Sequence, residues 1–377
     1  MKVAGIVVEY NPLHKGHLYH LQKVRELTGC DLIVAVMSGN FVQRGDFAVC
    51  DKWLRASKAV ECGVDLVLEL PFPFVVQSAA HFGAKAVDIL AMAKVDHIVF
   101  GSETNNLEEL QEIAHMSFNI DNFRENMAQG YSYPASYGFM ADSYGPNDIL
   151  AISYLRQLDS YPDIKPVSIL RTGNYHAEAI DPEAPSAKAI RKALESGQDV
   201  SQLTPLASEL KQYPAPKWEQ FYPYLRAMLL TSSPERLAQH FLMDEGIENH
   251  LIKTAGECSD FAAFLNKATT RRYTASRIKR TLCHLLVNNL KEEMKALPPY
   301  DRIRPLAYSD KGREYLKQLR KDGVTVVSHF SQNIKPYRDL EYRAAVVYGM
   351  LMDEEDRYRV VRGEICGPYL DVKKADN

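Results

Sequence analysis

The chain of 377 residues has no stretch of about 18 apolar residues free of charge; the nearest, Val64–Ala80, contains Asp65, Glu69 and two prolines, so no transmembrane helix is read there. The apolar start, Val3–Val8, is strand-length and no cleavage pattern follows it, so it does not read as a signal peptide. Cysteine is sparse. Cys30, Cys50, Cys62, Cys258, Cys283 and Cys366 form no C-x-x-C pair, and none has a histidine at zinc-finger spacing. A structural zinc site is therefore not expected, and these residues read as thiols in a reducing cytosol. Internal repeats, low-complexity segments and a sequence triad for nucleophilic catalysis are also missing. What is there is ordinary in amount: 46% hydrophobic and 25% charged residues, which excludes a disordered chain, a collagen-like repeat and a small disulfide scaffold.

The net charge of -3 is unevenly spread. Residues 1–200 hold 17 Lys+Arg against 25 Asp+Glu; residues 201–377 hold 28 against 23. A basic C-terminal half fits an anionic partner. At roughly 150 residues per domain the length predicts two domains. Pro205, Pro214 and Pro216 put the boundary near 195–215, giving regions 1–200 and 201–377.

The first region alternates strands and helices. Val3–Val8, Asp31–Met37, Val64–Leu70, His97–Phe100 and Ile164–Leu170 are apolar runs of strand length. Helical spacing follows in Leu18, Leu21, Val24 and Leu27, and again in Asp51–Cys62, Ser78–Leu90, Asn147–Leu158 and Ser186–Leu194. Continuous apolar strands separated by helices predict a parallel sheet covered on both faces, with ligands beyond the carboxyl ends of its strands. Residues 217–298 read as mainly helical, and 300–377 as short helices with a strand at Val324–Ser328.

Asn11-Pro12-Leu13-His14-Lys15-Gly16-His17 stands between the first strand and the first helix and contains H-x-G-H. A helix N-terminus offers free N–H groups and a positive dipole end, which suits phosphate. Gly16 permits close approach to the backbone, and His14 and His17 can stabilise charge on a pentavalent phosphorus and a leaving pyrophosphate. Ser186-Ala187-Lys188-Ala189-Ile190-Arg191 places a hydroxyl at a helix start and a guanidinium one turn on, a pair suited to the β- and γ-phosphates. The polar loop Ser38–Gly45 follows the second strand and offers Asn40, Gln43 and Arg44 for an acetate or a nucleotide, or else is a structural turn. Lys52 and Arg55 open the next helix, where a solvated face is expected over phosphate contact.

Lys267–Arg280 carries six basic residues and no acidic one. Read as one helix, it puts Arg272, Ser276, Lys279 and Arg280 on a common face, suited to an RNA backbone. Tyr273 either anchors the segment or stacks on a base. A second basic run, Lys311, Arg313, Lys317, Arg320 and Lys321, follows one predicted helix, and Asp353–Asp356 reads as solvated surface.

These motifs resemble the nucleotidylyltransferase superfamily. More closely, Val7–Leu18, Ser38–Gly45, Gly63–Pro71, Phe100–Glu103, Asn147–Leu155 and Ser186–Arg191 run in the order of the bacterial tRNA(Met) cytidine acetate ligases, with Lys188 where threonine is common. The resemblance implies an α/β, Rossmann-like parallel sheet of the HxGH type, followed by a mainly helical region. It implies an ATP-dependent ligase that makes acetyl-adenylate and acetylates N4 of the wobble cytidine of elongator tRNA(Met). Val7, Val8, Glu9, Tyr10, Asn11, Pro12, Leu13, His14, Lys15, Gly16, His17, Leu18, Tyr19 and His20 would then bind ATP together with Gly101, Asn147, Arg171, Thr172, Ser186 and Arg191. His14 and His17 would be catalytic, and Arg271, Arg272, Arg277, Lys279 and Arg280 would meet tRNA. Mg2+ is expected only as the companion of a triphosphate, since the sequence has no dedicated carboxylate cage. The rival readings are a small-molecule adenylyltransferase of the HxGH type and a non-catalytic RNA-binding protein on a degenerate nucleotide fold.

Overall fold

The computed structural model describes residues 1–116, 144–171 and 185–366. Its strands are β1 Val3–Val8, β2 Leu32–Ser38, β3 Leu66–Leu70, β4 His97–Ser102, β5 Lys165–Leu170, β6 Arg302–Ile303, β7 Pro305–Tyr308 and β8 Thr325–Val326. Six form one sheet in the order β5-β4-β1-β2-β3-β7. β1 to β5 are parallel, and β7 runs antiparallel to β3.

The helices of the first half are α1 Lys15–Thr28, α2 Lys52–Glu61, α3 Phe72–Val75, α4 Ala79–Met92, α5 Leu107–His115, α6 Pro146–Leu158 and α7 Ala187–Glu195. Strand side chains alternate between faces, so each central strand contributes to two cores. Val3, Leu32, Val34, Val36, Leu66 and Leu68 pack with Phe82 and Val87 of α4 and Tyr154 of α6. Ala4, Ile6, Val8, Ile33, Ala35, Met37 and Val67 pack with Leu21 and Val24 of α1 and Trp53 and Ala56 of α2. Buried on both sides, these strands need the continuous apolar runs that the sequence shows.

The second half contributes α8 Trp218–Thr231, α9 Ile247–Glu257, α10 Phe261–Ala268, α11 Ala275–Leu286, α12 Asp310–Lys321, α13 Lys335–Gly349 and α14 Glu354–Cys366. Phe221, Leu225, Phe264, Ile278 and Leu282 are continuous with the first of the two cores. β7 carries the second half into the sheet itself, its Pro305 placed at an edge and beside a register shift, where a missing N–H is tolerated. Residues 300–366 differ from the expected short helices. α13 and α14 run 15 and 13 residues, and the strand near Val324–Ser328 shortens to Thr325–Val326 on β6. Among the described residues no helix is long and apolar enough to cross a membrane.

Candidate active site at the carboxyl edge of the sheet

The chain leaves β1 through Glu9 and Tyr10, the latter at φ 48, and the Asn11–Pro12 bond is cis. Three remote segments hold this corner. Asn11 Oδ1 accepts from the Val49 N–H (2.8 Å), Thr204 Oγ1 donates to the Leu13 carbonyl (2.6 Å), and Arg191 Nη1 donates to the Asn11 carbonyl (2.7 Å). His14 is the N-cap of α1, and its Nδ1 accepts from the Gly16 N–H at 3.1 Å. His17 Nδ1 accepts from the His14 N–H at 3.2 Å. The two rings stand 3.8 Å apart.

These bonds fix the tautomers. A neutral ring whose Nδ1 accepts carries its proton on Nε2. Burial, with help from Arg171 and Arg191, holds His14 down to about 4. Burial and the neighbouring His14, His20 and Arg171 hold His17 well below its ordinary value. His20 is also held down to about 4, by burial and Arg171. Both motif rings are thus neutral near pH 7 and each presents one Nε2–H. A bound polyanion would raise their basicity, since an opposite charge favours the protonated form.

Arg171 links this corner to β4. Its Nη1 donates to Asn147 Oδ1 at 3.1 Å, and a Cβ on Gly101 would meet its Cγ at 3.1 Å. Glu103 accepts from the Asn147 N–H and Nδ2 and from the Asp148 N–H, so the start of α6 is tied to the end of β4. The structure therefore brings Gly101, Asn147, Arg171, Arg191, His14 and His17 to one edge. Ser186 is the N-cap of α7, accepting from the Ala189 N–H at 3.0 Å. Thr172 lies outside the described residues.

The loop after β2 is tightly tethered. Asn40 Oδ1 accepts from the Lys52 N–H (2.9 Å), the Gln43 N–H donates to Glu9 Oε1 (2.6 Å), and Gln43 Nε2 donates to the Gln77 carbonyl (2.7 Å). Arg44 is exposed, and its charge is felt at Glu9.

Lys52 and Arg55 correct the expectation of a solvated face. Both are buried. Arg55 donates to the carbonyls of Glu9, Ser38, Gly39 and Cys50, stitching the ends of β1 and β2 together. Lys52 reaches Glu69 and lies 3.4 Å from Glu341 and 2.5 Å from Glu364. Arg304 joins them, 2.7 Å from Glu69 and 2.9 Å from Glu364. Helical periodicity marks which face of α2 is polar but not what covers it. The covering comes from β3, β7, α13 and α14, more than 200 residues away for the last three. Glu69, Glu341 and Glu364 are spaced as metal ligands could be, yet the two cations fill the space between them.

The basic segment also differs from one continuous helix. α11 begins at Ala275 behind the N-cap Thr274, so Arg271 and Arg272 precede it. Tyr273 is buried and its hydroxyl donates to the Glu245 carbonyl (2.7 Å), which is the anchoring role. Arg277 pairs with Glu245 at 3.0 Å and Lys279 with Asp46 at 2.6 Å. Gly45, at φ +77, lies so close to α11 that a Cβ would meet Arg280 N at 2.5 Å. The loop that touches the β1 corner thus also touches the basic helix. Helix α12 matches the second basic run, with Arg313 and Lys317 paired to Asp310 and Glu314.

A parallel sheet with paired histidines at the first strand–helix corner defines a nucleotidyl transferase of the HxGH class. In agreement, the HIGH Nucleotidyl Transferase family model matches residues 1–361. Curated relatives narrow the class. The tRNA(Met) cytidine acetate ligase of Geobacillus sp. (strain WCH70) is 34% identical, over 98% of this chain and 100% of its own. That of Bacillus subtilis (strain 168) is 35% identical, over 94% and 93%. The crystal structure of apo Thermotoga maritima TmcAL superposes with a TM-score of 0.85 at 31% identity, covering 95% of this chain and 96% of its own. The same protein bound with alpha-thio ATP gives 0.82. The chain belongs to the tRNA(Met) cytidine acetate ligase family.

Proposed function

We propose that this chain activates acetate with ATP and transfers the acetyl group to N4 of the wobble cytidine of elongator tRNA(Met). One observation carries the reading: His14, His17, Arg171 and Arg191 gather donors and positive charge at a helix N-terminus in a chain of this family. An acetate oxygen attacks the α-phosphorus, and pyrophosphate leaves with the electron pair of the broken P–O bond. The Nε2–H groups of His14 and His17 donate to phosphate oxygens as charge grows on them, and the guanidinium of Arg191 meets the leaving end beside Ser186. Gly101, Asn147 and Arg171 receive the adenosine. The Lys52-filled carboxylate cluster does not fit Mg2+; an ion arriving with ATP would be held by phosphate oxygens and water.

In the second step the cytidine amine attacks the acetyl carbonyl and AMP departs. Adenylation is needed because acetate is a poor acyl donor and the exocyclic amine a poor nucleophile. Arg271, Arg272, Arg277, Lys279 and Arg280 meet the tRNA backbone, and Asn40, Gln43 and Arg44 frame the acetate side. The protein acts in the cytoplasm, with its tRNA. Incubation with ATP, labelled acetate and tRNA(Met) tests the whole reading. Label on the wobble cytidine and release of AMP and pyrophosphate are expected. ATP turnover onto a small molecule, or no turnover, would overturn it.

A further inference from the structure

Acyl transfer to an amine releases a proton, and the acetate-ligase reading above assigns no group to receive it. The motif histidines are poor choices. Their Nδ1 atoms are engaged by backbone N–H groups, and their Nε2 atoms carry the protons that face phosphate. Four other carboxylates among the described residues are committed. Glu103 takes three N–H groups from the start of α6, Asp148 binds Ser102 and Thr104, and Asp46 and Asp51 pair with Lys279 and Arg359.

Glu9 is different. It is half-buried and immediately follows β1, five residues before His14. Among the described residues only Oε1 has a bond, from the Gln43 N–H; Oε2 has no partner there and no cation lies within ion-pair distance. Its carboxyl belongs to the face of the sheet carrying α4 and α6: Val3 and Val7 point there, Gln43 bridges onward to Gln77 before α4, and Tyr154 of α6 senses its charge. The histidines belong to α1, which packs on the other face. The charge of Arg191, which bonds the Asn11 carbonyl between them, is felt at both His14 and Glu9. On the acetate-ligase reading, an acyl group on a phosphate held at the start of α1 would lie at this end of β1, where Glu9 stands.

We propose that Glu9 is the catalytic proton acceptor of acetyl transfer, facing the cytidine amine across the end of β1. The N4 lone pair forms a bond to the acetyl carbon, and the bond from that carbon to the adenylate oxygen breaks. AMP leaves with the electron pair as its phosphate, and the N4 proton passes to Glu9 Oε2 and then to solvent. Burial raises the basicity of Glu9, against the Gln43 N–H and the charges of Arg55, Arg191 and Arg44, which brings it nearer to the working range of a general base.

Glu9→Gln keeps an acceptor for the Gln43 N–H and removes the base. In the full-length protein, two rates are compared: acetate-dependent ATP–pyrophosphate exchange, and single-turnover transfer from enzyme-formed acetyl-adenylate to a tRNA(Met) transcript. Transfer should lose on the order of 100-fold more than exchange, the usual worth of a general base. Wild-type transfer should rise with pH to a plateau, the variant's should be flat, and Glu9→Asp should restore the rise. Equal losses in both steps, an unchanged ratio, or a pH limb surviving in Glu9→Gln would overturn the assignment. If the wild type makes acetyl-adenylate and acetylates tRNA while any of these holds, only Glu9 loses its role. If the wild type makes no acetyl-adenylate, the function reading falls and this one with it.

Discussion

Two charged groups stand at the same edge of the sheet and are built in opposite ways. At the end of β3, Lys52 and Arg304 face Glu69, Glu341 and Glu364, all five buried, each cation within 3.4 Å of at least two carboxylates. Burial alone would lower the basicity of Lys52; Glu364, Glu69 and Glu341 outweigh that and hold it above its ordinary value. Burial raises Glu341 to about 8, helped by Glu69 and Glu364, so it holds a proton near pH 7. That proton brings the carboxyl groups closer in charge to the two cations, which fill the space between them and close it to ligands. At the end of β1, His14, His17 and Arg191 face no matching set of buried carboxylates among the described residues, and burial leaves both rings neutral. A balanced charge cluster serves the fold, and an unbalanced one waits for a ligand.

The largest effect is expected where the balance is broken. Lys52→Met leaves the buried Glu69 and Glu364 on Arg304 alone, with Glu341 beside them, and should cost about 3–5 kcal/mol of stability, read by denaturant unfolding. Next come the histidines. Replacing His14 or His17 by Ala should remove about 2–4 kcal/mol of transition-state stabilisation, a loss of orders of magnitude in acetate-dependent exchange with the protein still folded. Near-normal exchange in either variant would erase the contrast between the clusters.

The histidine corner was legible because H-x-G-H is local: cap, ring pair and dipole lie within a few residues. The five parallel strands were legible because two-sided burial writes continuous apolar runs. The β3 cluster was hidden. Lys52 sits in a helix of ordinary amphipathicity, Glu341 and Glu364 sit in charged helices, and no sequence pattern records that they converge. β7 was missed for a related reason: its four residues begin with proline and pair at an edge. Arg191 could be read as a phosphate ligand by its motif, but its bond to the Asn11 carbonyl could not.

A smaller effect separates the clusters by pH. The carboxyl of Glu341 binds its proton more tightly folded than unfolded, so its contribution is fully present below the ordinary carboxylate value and is lost as pH rises through about 8. Glu341→Gln mimics the protonated form and still accepts from the Phe72 N–H. The difference in unfolding free energy between wild type and this variant should therefore move in the variant's favour from pH 5 to 9. The low-lying histidines act the other way, contributing stability above about 6.5 that is lost as pH falls through about 4. Since a bound triphosphate raises their basicity, ATP binding near pH 6 should take up protons, measurable by calorimetry in buffers of different ionisation enthalpy.

The smallest effects belong to the basic segment, and its two ends should behave differently. Arg271 and Arg272 stand in the turn before α11, and Arg272 lies 3.6 Å from Glu245. Removing one arginine–phosphate pairing there should flatten the log–log salt dependence of tRNA binding by about one unit, leaving adenylate formation intact. Lys279 is not so separable. Its ammonium bonds both oxygens of Asp46, which also accepts from Trp218 Nε1, and the adjoining Gly45 is pressed against α11. That loop continues to Gln43 on Glu9 and Val49 on Asn11. Lys279→Glu sets two like charges together and should loosen the loop, lowering acetate-dependent exchange several-fold as well as tRNA affinity. Arg271→Glu with Arg272→Glu should spare exchange. If both sets of variants spare exchange equally, the loop does not join the basic helix to the β1 corner, and the second half of the chain meets tRNA without any purchase on the nucleotide edge.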